Sequence, residues 1–266
     1  MRIEVPVKKQ MGTKMKQALM DYVVFDIETT GFYPSQDKII ELGAAKVCDG
    51  KIVDTFSAFV NPGKLLPPKI VELTGITDAD VKKAPFIEEL FDAFADFAGD
   101  SVLLGHNILF DYSFVKTAAQ RQKKTFNKEG MDTLRIARRF LTALESRSLG
   151  VLCAYYKIDL DAHRALNDAV ATHQVYQRMV EQFYPIDQEP FAPRQLAYRV
   201  QKDSPITPKQ YNYIQMLARR LRLSVANEEN VFWLEPIKSF GTERIAVEAL
   251  SKSEASRLID CLQSGL

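Results

Sequence analysis

The sequence predicts a mixed α/β fold, in which helices flank one sheet, on three observations. Three β-rich runs come first, at residues 21–30, 39–47 and 51–60, and the Asp49-Gly50 dipeptide between the last two is a hairpin signal. Residues 86–98 then place apolar side chains at helical spacing. A short apolar strand at 101–107 and a helix from about Phe110 follow. We therefore expect three antiparallel strands, and then an alternation of strand and helix that extends the same sheet.

Composition divides the chain into four segments. A length of 266 residues with 46% apolar residues excludes a wholly disordered chain and suits one large domain or two modest ones. Residues 1–20 are expected to form an N-terminal extension, and residues 21–184 a main domain that ends with helices near 132–143, 148–156 and 166–184. The proline-rich segment 185–205 predicts a linker.

The remaining residues, 206–266, predict a small, mainly helical C-terminal module. Thr207 is a suitable N-cap and Pro208 a suitable first-turn residue for the amphipathic run that follows. Ser251 or Ser253 could cap a last helix. This segment weakly resembles helical modules that are appended to DNA-processing proteins, which predicts that it binds nucleic acid or a protein partner.

A net charge of +1 conceals a segregation of charge along the chain. Residues 21–118 carry eight basic and sixteen acidic residues, whereas residues 119–147 carry eight basic and three acidic ones. An acidic centre beside basic flanks suits a metal-dependent enzyme that acts on a polyanion, because carboxylates bind cations and basic side chains bind phosphates. Ordinary scatter of surface charge explains the same counts, so charge alone does not decide between the two.

Three features of the sequence bear on the compartment. Cys48, Cys153 and Cys261 are odd in number and far apart, which disfavours a disulfide framework. The basic N-terminal residues lack the continuous apolar run of a secretory signal, and no stretch approaches the ~18 apolar residues that span a bilayer. The sequence therefore predicts a soluble, cytoplasmic protein without a membrane partner.

Several acidic residues lie within or next to apolar runs, where packing of the fold does not explain a charged side chain. Asp26 and Glu28 lie two apart on the first predicted strand, so both side chains project from the same face. Asp111 lies near the start of a predicted helix, and His163 precedes Asp168 by five residues. Taken singly, each has an ordinary explanation. The first two can form a solvent-facing strip on an edge strand, the two later aspartates can be acids that stabilise a helix N-terminus, and the histidine can be a surface residue at a helix start.

Together these five residues predict a catalytic metal site. Carboxylates from one strand and two helix starts can converge on a pair of divalent cations, and hard oxygen ligands suit Mg²⁺ or Mn²⁺. Two such ions can activate a water and stabilise the leaving oxygen of a phosphodiester, while an imidazole accepts the proton of the water. This chemistry requires four carboxylates and one histidine.

Three motifs carry a resemblance to a known family. VVFDIETTG at 23–31, HNILFD at 106–111 and HRALNDA at 163–169 resemble, in order, the motifs of the DEDDh branch of DnaQ-like 3′–5′ exonucleases, typified by the epsilon proofreading subunit of bacterial DNA polymerase III. The resemblance covers roughly residues 21–184 and implies an RNase H-like, mixed five-stranded sheet flanked by helices. The metal ligands that the resemblance implies are Asp26, Glu28, Asp111 and Asp168, and the general base that it implies is His163.

The resemblance also implies contacts to the substrate. It places Thr29, Thr30 and Phe32 at the 3′ end of the nucleic acid, and His106 and Asn107 beside the nucleotide pocket. The alternative explanation is structural, since the threonines can simply end the strand and the other two can satisfy buried backbone groups.

The expected function is therefore a 3′–5′ exonuclease that uses two Mg²⁺ or Mn²⁺ ions and releases nucleoside 5′-monophosphates from DNA with a free 3′ end. Proofreading and repair are both compatible with it, and the candidate partners are a DNA polymerase or a repair complex. Two alternatives stay open. One is a 3′–5′ exoribonuclease, and the other is a non-catalytic nucleic-acid binding protein that reuses the fold.

Overall fold

A computed structural model describes residues 18–200, 204–223, 225–228, 231–237 and 244–263. Most of the predicted N-terminal extension, residues 1–17, lies outside the described residues. Its last part is held against the main domain, because the backbone carbonyl of Leu19 accepts a hydrogen bond from the Tyr176 hydroxyl and that of Met20 accepts one from the Gly50 amide.

The main domain is built on a mixed sheet of six strands. They are β1 (Tyr22–Thr29), β2 (Ile39–Cys48), β3 (Lys51–Phe59), β4 (Leu103–Gly105), β5 (Glu129–Asp132) and β6 (Arg194–Gln195). Their order in the sheet is β3-β2-β1-β4-β5-β6. Strands β1, β2 and β3 form the predicted antiparallel meander, and β4 and β5 run parallel to β1. The family resemblance implies five strands, and the sixth is a two-residue strand that pairs with the edge of β5.

The main domain contains seven α-helices within the part of the chain that the structure describes. They are α1 (Pro68–Thr74), α2 (Asp78–Val81), α3 (Ile87–Ala98), α4 (Leu109–Arg121), α5 (Thr133–Phe140), α6 (Leu149–Tyr156) and α7 (Ala165–Phe183). Helices α3 to α7 lie where the sequence predicts them. Helices α1 and α2 are too short for periodicity to predict, and they begin at local signals, a proline at the first turn of α1 and a Thr77–Asp80 capping box in α2.

Two apolar cores cover the two faces of the sheet. Along β1, Tyr22 and Val24 belong to the core beneath α5, α6 and α7, whereas Val23, Phe25 and Ile27 belong to the core beneath α3 and α4. This alternation continues past Val24, so Asp26 and Glu28 lie on the α7 side of the sheet. Within the described parts of the chain, no helix combines the length and the apolar character that crossing a bilayer requires.

A close approach between α7 and β2 fixes the start of α7. A Cβ atom added at Gly43 would lie 2.1 Å from the backbone nitrogen of Leu166. Only glycine therefore lets the first turn of α7 lie directly on β2. Gly43 pairs with Asp26 across the β1–β2 ladder, so this contact brings α7 to the polar end of β1.

The segment 185–205, predicted as a linker, packs on the main domain over much of its length. Phe191 is buried in the core beneath α7, and the Arg135 guanidinium donates a 2.9 Å hydrogen bond to the Ala192 carbonyl. After β6, Leu196 and Tyr198 pack against the other core. Only a short strand and single buried side chains hold this segment. It therefore has no long apolar run, which is why its sequence predicts a linker.

The C-terminal module contains a sheet as well as helices. Its elements are α8 (Pro208–Arg220), β7 (Val225–Glu228), β8 (Val231–Leu234), β9 (Ile245–Ala246) and α9 (Lys252–Gln263). Both predicted helices are present, and the strands form an antiparallel sheet in the order β7-β8-β9. The module is thus mainly helical, as predicted, and the sequence did not reveal its strands, because strands of two to four residues are too short for an alternating pattern to mark them. The module has its own apolar core, in which Ile214, Leu234 and Leu258 are fully buried.

Candidate active site

The polar end of β1 supplies the first two carboxylates. The strand is apolar and buried up to Phe25, and Asp26 and Glu28 then project from the face that α7 covers. Both are partly buried. The two-residue spacing on a strand therefore places them side by side, as the sequence predicts.

Helix α7 brings the third carboxylate to this end of the sheet. Asp168 lies in its first turn and is 8% exposed. One carboxylate oxygen each of Asp26, Glu28 and Asp168 can be chosen so that all three lie within 4.8 Å of one another. Residues 140 positions apart in sequence thus form one cluster, which we call the three-carboxylate cluster.

Asp111 approaches the same end of β1 from the opposite side. It lies in the first turn of α4, is 3% exposed, and its Oδ1 accepts a 3.2 Å hydrogen bond from the Ile27 amide. Its charge is also felt at Asp26, whose pKa it raises. Asp111 is therefore a neighbour of Asp26, although it lies outside the three-carboxylate cluster itself.

The electrostatics of these carboxylates favour an added positive charge. Burial raises the pKa of Asp26 well above its ordinary value, and the nearby charges of Asp111 and Asp168 raise it further. Burial, with Asp168 and Glu41 nearby, raises the pKa of Glu28 to about 8. Carboxylates that repel one another in a buried site are stabilised by a proton or by a cation.

The donor set fits hard divalent cations. All of its side chains are carboxylates, and oxygen ligands of this kind are preferred by Mg²⁺ and Mn²⁺. The cluster therefore fits a divalent cation of the kind that the sequence predicts.

His163 lies in the loop that leads into α7, next to the cluster. Its backbone is left-handed, with a φ of 67°, and its amide donates a 2.8 Å hydrogen bond to Asp168 Oδ2. Its side chain is exposed. Burial raises the pKa of Asp168, although the hydrogen bond from the His163 amide and the nearby His163 side chain lower it in part. The imidazole at this position is accessible to solvent.

Glu41 also lies at this site, although the sequence did not predict it. This residue lies on β2 directly opposite Glu28 and is 2% exposed, although it carries a charge. Its carboxylate forms a 3.0 Å ion pair with Arg164. A glutamate inside the apolar run IIELGAAKV is the signal that could have revealed it, since such a position rarely holds an unpartnered charge.

The predicted substrate residues after β1 divide into buried and exposed groups. Thr29 and Thr30 are 8% and 4% exposed, and their hydroxyls donate to the Gly31 carbonyl and to Asp37. Phe32 is 77% exposed and makes an edge contact with Phe110, with ring centroids 6.5 Å apart. The threonine hydroxyls thus shape the loop, whereas the Phe32 ring is open to a ligand.

His106 and Asn107 lie in the loop between β4 and α4. The Nδ1 atom of His106 is 2.9 Å from the Thr133 hydroxyl, and burial lowers the pKa of this histidine. Asn107 is exposed, has a φ of 62°, and its amide donates to Asp132 Oδ1. Both residues therefore tie this loop to the start of α5, and the Asn107 side chain stays accessible.

The sequence is similar to known exonucleases over the segment that forms this site. A family model described as an exonuclease, that of the RNase T family, matches residues 23–176, which is more than half of the chain. The chain belongs to the RNase T exonuclease family. The matched range includes all four predicted metal ligands and His163.

Two bacterial relatives of this exonuclease are PolC-type DNA polymerases III. The protein of Clostridium perfringens is 46% identical over 156 residues, which cover 58% of this chain and 11% of the relative. That of Caldanaerobacter subterraneus is 42% identical over 167 residues, which cover 62% of this chain and 12% of the relative. The exonuclease thus spans about a ninth of the length of these much larger proteins.

Solved structures share the fold. Exonuclease X in complex with 5′ overhanging duplex DNA superposes with a TM-score of 0.51 at 25% identity, over 61% of this chain and 92% of that one. The nuclease domain of 3′hExo, a DEDDh family member bound to rAMP, has a TM-score of 0.54 at 20% identity and covers 63% of this chain and 96% of that one. The RNase H-like fold and the resemblance to DEDDh exonucleases are therefore confirmed.

Proposed function

We propose that this exonuclease hydrolyses the terminal phosphodiester bond at the 3′ end of DNA and releases nucleoside 5′-monophosphates. In this proposal, Asp26, Glu28, Asp111 and Asp168 hold two Mg²⁺ or Mn²⁺ ions. The observation that carries it is the three-carboxylate cluster, with oxygens within 4.8 Å, in a member of the RNase T exonuclease family.

The protein side chains divide the chemistry between binding and proton transfer. When bound, the cations supply a lowered pKa for a water and offset the negative charge that develops on the phosphate. The carboxylates would hold these cations, and through them the terminal phosphate, near His163. One ring nitrogen of His163 would accept a proton from the attacking water as the water oxygen forms a bond to phosphorus. The bond between phosphorus and the 3′ oxygen of the preceding nucleotide would break, and that oxygen would leave with the electron pair and take up a proton from solvent.

Two observations support DNA as the substrate. The relatives at 46% and 42% identity are DNA polymerases, and Exonuclease X is described in complex with DNA. A link to replication or repair in the cytoplasm is the corresponding cellular role, with a DNA polymerase as a candidate partner. We propose that the exposed Phe32 ring stacks on a terminal base, since aromatic rings bind bases of any sequence.

The C-terminal module is a candidate second contact to the nucleic acid. Helix α8 exposes Lys209, Tyr213, Met216, Arg219 and Arg220, which recur at helical spacing, and its sequence contains no acidic residue. The basic side chains of this face can bind the phosphate backbone, and Tyr213 offers an aromatic surface to a base. We therefore propose that this face of α8 binds the strand upstream of its 3′ end.

A degradation assay tests the proposed function. Single-stranded DNA labelled at its 5′ end should shorten stepwise in Mg²⁺ or Mn²⁺ and stay intact in EDTA. A phosphorothioate bond at the 3′ end should block the reaction, whereas the same bond at the 5′ end should not. Parallel RNA and mismatched duplex substrates report the preference for DNA and for frayed ends. DNA that stays intact under all metal conditions would contradict the proposal.

A further inference from the structure

A fifth carboxylate lies beside the site without belonging to the three-carboxylate cluster. Glu41 is directly opposite Glu28 in the antiparallel β1–β2 pair and is 2% exposed. Like charges directly opposite each other on neighbouring strands are destabilising. A buried glutamate at this position therefore requires a partner of opposite charge.

Both carboxylate oxygens of Glu41 are bound by the segment that leads into α7. Oε1 accepts hydrogen bonds of 3.0 and 3.2 Å from Nη2 and Nε of Arg164, and Oε2 accepts a 3.0 Å hydrogen bond from the Ala165 amide. The Arg164 guanidinium also lies over the Phe59 ring, 5.3 Å from its centroid. An arginine held in this way by a bidentate carboxylate and an aromatic ring has little freedom to move.

The contacts to Glu41 anchor the backbone that follows His163, and Asp168 binds the amide of His163 itself. The His163 amide donates to Asp168 Oδ2 at 2.8 Å, while Arg164 and Ala165 are bound to Glu41. Between them, His163 adopts a left-handed conformation with a φ of 67°, which is unfavourable for a residue other than glycine. Such a conformation persists where surrounding contacts impose it.

We propose that Glu41, through Arg164, is a positioning residue that holds the His163 imidazole where it accepts a proton. The proposal rests on the proposed function, because it assigns a role within that reaction. A general base acts only within hydrogen-bond reach of its proton, so a small displacement of His163 lowers turnover. The carboxylates that bind the substrate phosphate through cations stay in place. Loss of the Glu41 charge should therefore lower kcat and leave KM nearly unchanged.

A double-mutant cycle between Glu41→Gln and His163→Ala tests whether Glu41 acts through the histidine. We expect Glu41→Gln to lower kcat about tenfold or more, with KM and the half-saturating Mg²⁺ concentration changed less than about twofold. In the His163→Ala background the same substitution should have no further effect on kcat. An equal further loss in that background would overturn the proposal, and a large rise in the Mg²⁺ requirement would instead make Glu41 a metal ligand.

Arg164→Met provides a second variant, because the Arg164 side chain is 47% exposed and its loss spares the core packing. Amide hydrogen exchange at His163 and Ala165 gives a readout that does not depend on activity. Exchange at both amides should be faster in Glu41→Gln and in Arg164→Met than in the wild type, and unchanged exchange would contradict the anchoring role. A wild-type protein without metal-dependent degradation would refute the proposed function, whereas the exchange measurement would still decide whether Glu41 orders this segment.

Discussion

At the scale of single residues, the site is a set of negative charges that the fold holds together against their mutual repulsion. Burial and neighbouring carboxylates raise the pKa values of Asp26 and Glu28, which means that the metal-free site is unfavourable when it is fully ionised. Cation binding and stability are thus opposed at these positions, because the charges that suit a cation destabilise the metal-free protein. This is common at active sites.

The substitution Asp26→Asn should separate the effect on cation binding from the effect on stability. Removing one buried charge relieves repulsion, so we expect the variant in EDTA to unfold at the same temperature as the wild type or a higher one. Its exonuclease activity should fall at least about a hundredfold, equivalent to about 3 kcal/mol of lost transition-state stabilisation. Thermal unfolding with EDTA and with Mg²⁺ checks this, and Mg²⁺ should stabilise the wild type alone. A variant that is markedly less stable than the wild type in EDTA would contradict the electrostatic account.

The raised pKa of Glu28 predicts a pH dependence of stability. The folded protein holds this proton up to about pH 8, whereas the unfolded chain releases it near the ordinary value of 4.5. Between these values the folded state binds more protons, so the stability of the metal-free protein should fall as pH rises through this window and level off above it. Chemical denaturation in EDTA at several pH values measures this trend. In Glu28→Gln the slope should be smaller, and an unchanged slope would show that Glu28 is not responsible.

The sequence predicted some of these residues and missed others. It revealed four carboxylates because each one follows or opens an apolar element: Asp26, Glu28, Asp111 and Asp168. Only its position inside an apolar run marked Glu41, and the sequence could not reveal its role, because its partner Arg164 is 123 positions away and only the fold brings them together. The same reason explains why Thr29 and Thr30 stayed ambiguous, since their hydrogen bonds depend on the path of the loop after β1.

At the scale of elements, the site depends on where the first turn of α7 meets β2. Gly43 permits this contact, because a Cβ there would lie 2.1 Å from the Leu166 amide nitrogen. The periodicity of the sequence predicted both elements but not their closeness, since a glycine within a strand has several explanations.

Gly43→Ala should therefore displace α7 and Asp168 with it. We expect a loss of about 1 to 3 kcal/mol in stability, as for other overpacked contacts, and a clear fall in both metal affinity and turnover. Gly150→Ala in α6 is the matched control, because nothing lies within 4 Å of a Cβ added there. That variant should be neutral or slightly more stable. Equal behaviour of the two variants in thermal unfolding and activity assays would contradict the close contact.

At the scale of the whole molecule, the chain contains an exonuclease domain and a C-terminal module with separate apolar cores. The composition of the sequence changes near residue 185, but this change could not show that the following residues return to the sheet. Leu196 packs so closely that a Cβ added at Gly130 would lie 2.8 Å from it. The exonuclease domain therefore extends to about Tyr198.

Two truncations test this division. A chain that ends at Val200 should keep the turnover number of the full protein, but bind single-stranded DNA more weakly, because the cations of α8 are lost. If three phosphate contacts are lost, the slope of log Kd against log salt should decrease by about 2. Binding measured in EDTA at several salt concentrations checks this, and unchanged affinity would assign the module to another partner. A chain that ends at Phe191 should in addition be less stable, because it lacks β6, Leu196 and Tyr198.

The central claim is that β1, α4 and α7 bring four carboxylates together to hold catalytic cations. Anomalous diffraction from crystals soaked with Mn²⁺ and a nucleoside 5′-monophosphate measures this directly. We predict two Mn²⁺ peaks bound by oxygens of Asp26, Glu28, Asp111 and Asp168, with the phosphate of the nucleotide between these peaks and His163. Manganese bound elsewhere, or absent from these carboxylates at saturating concentration, would contradict the account.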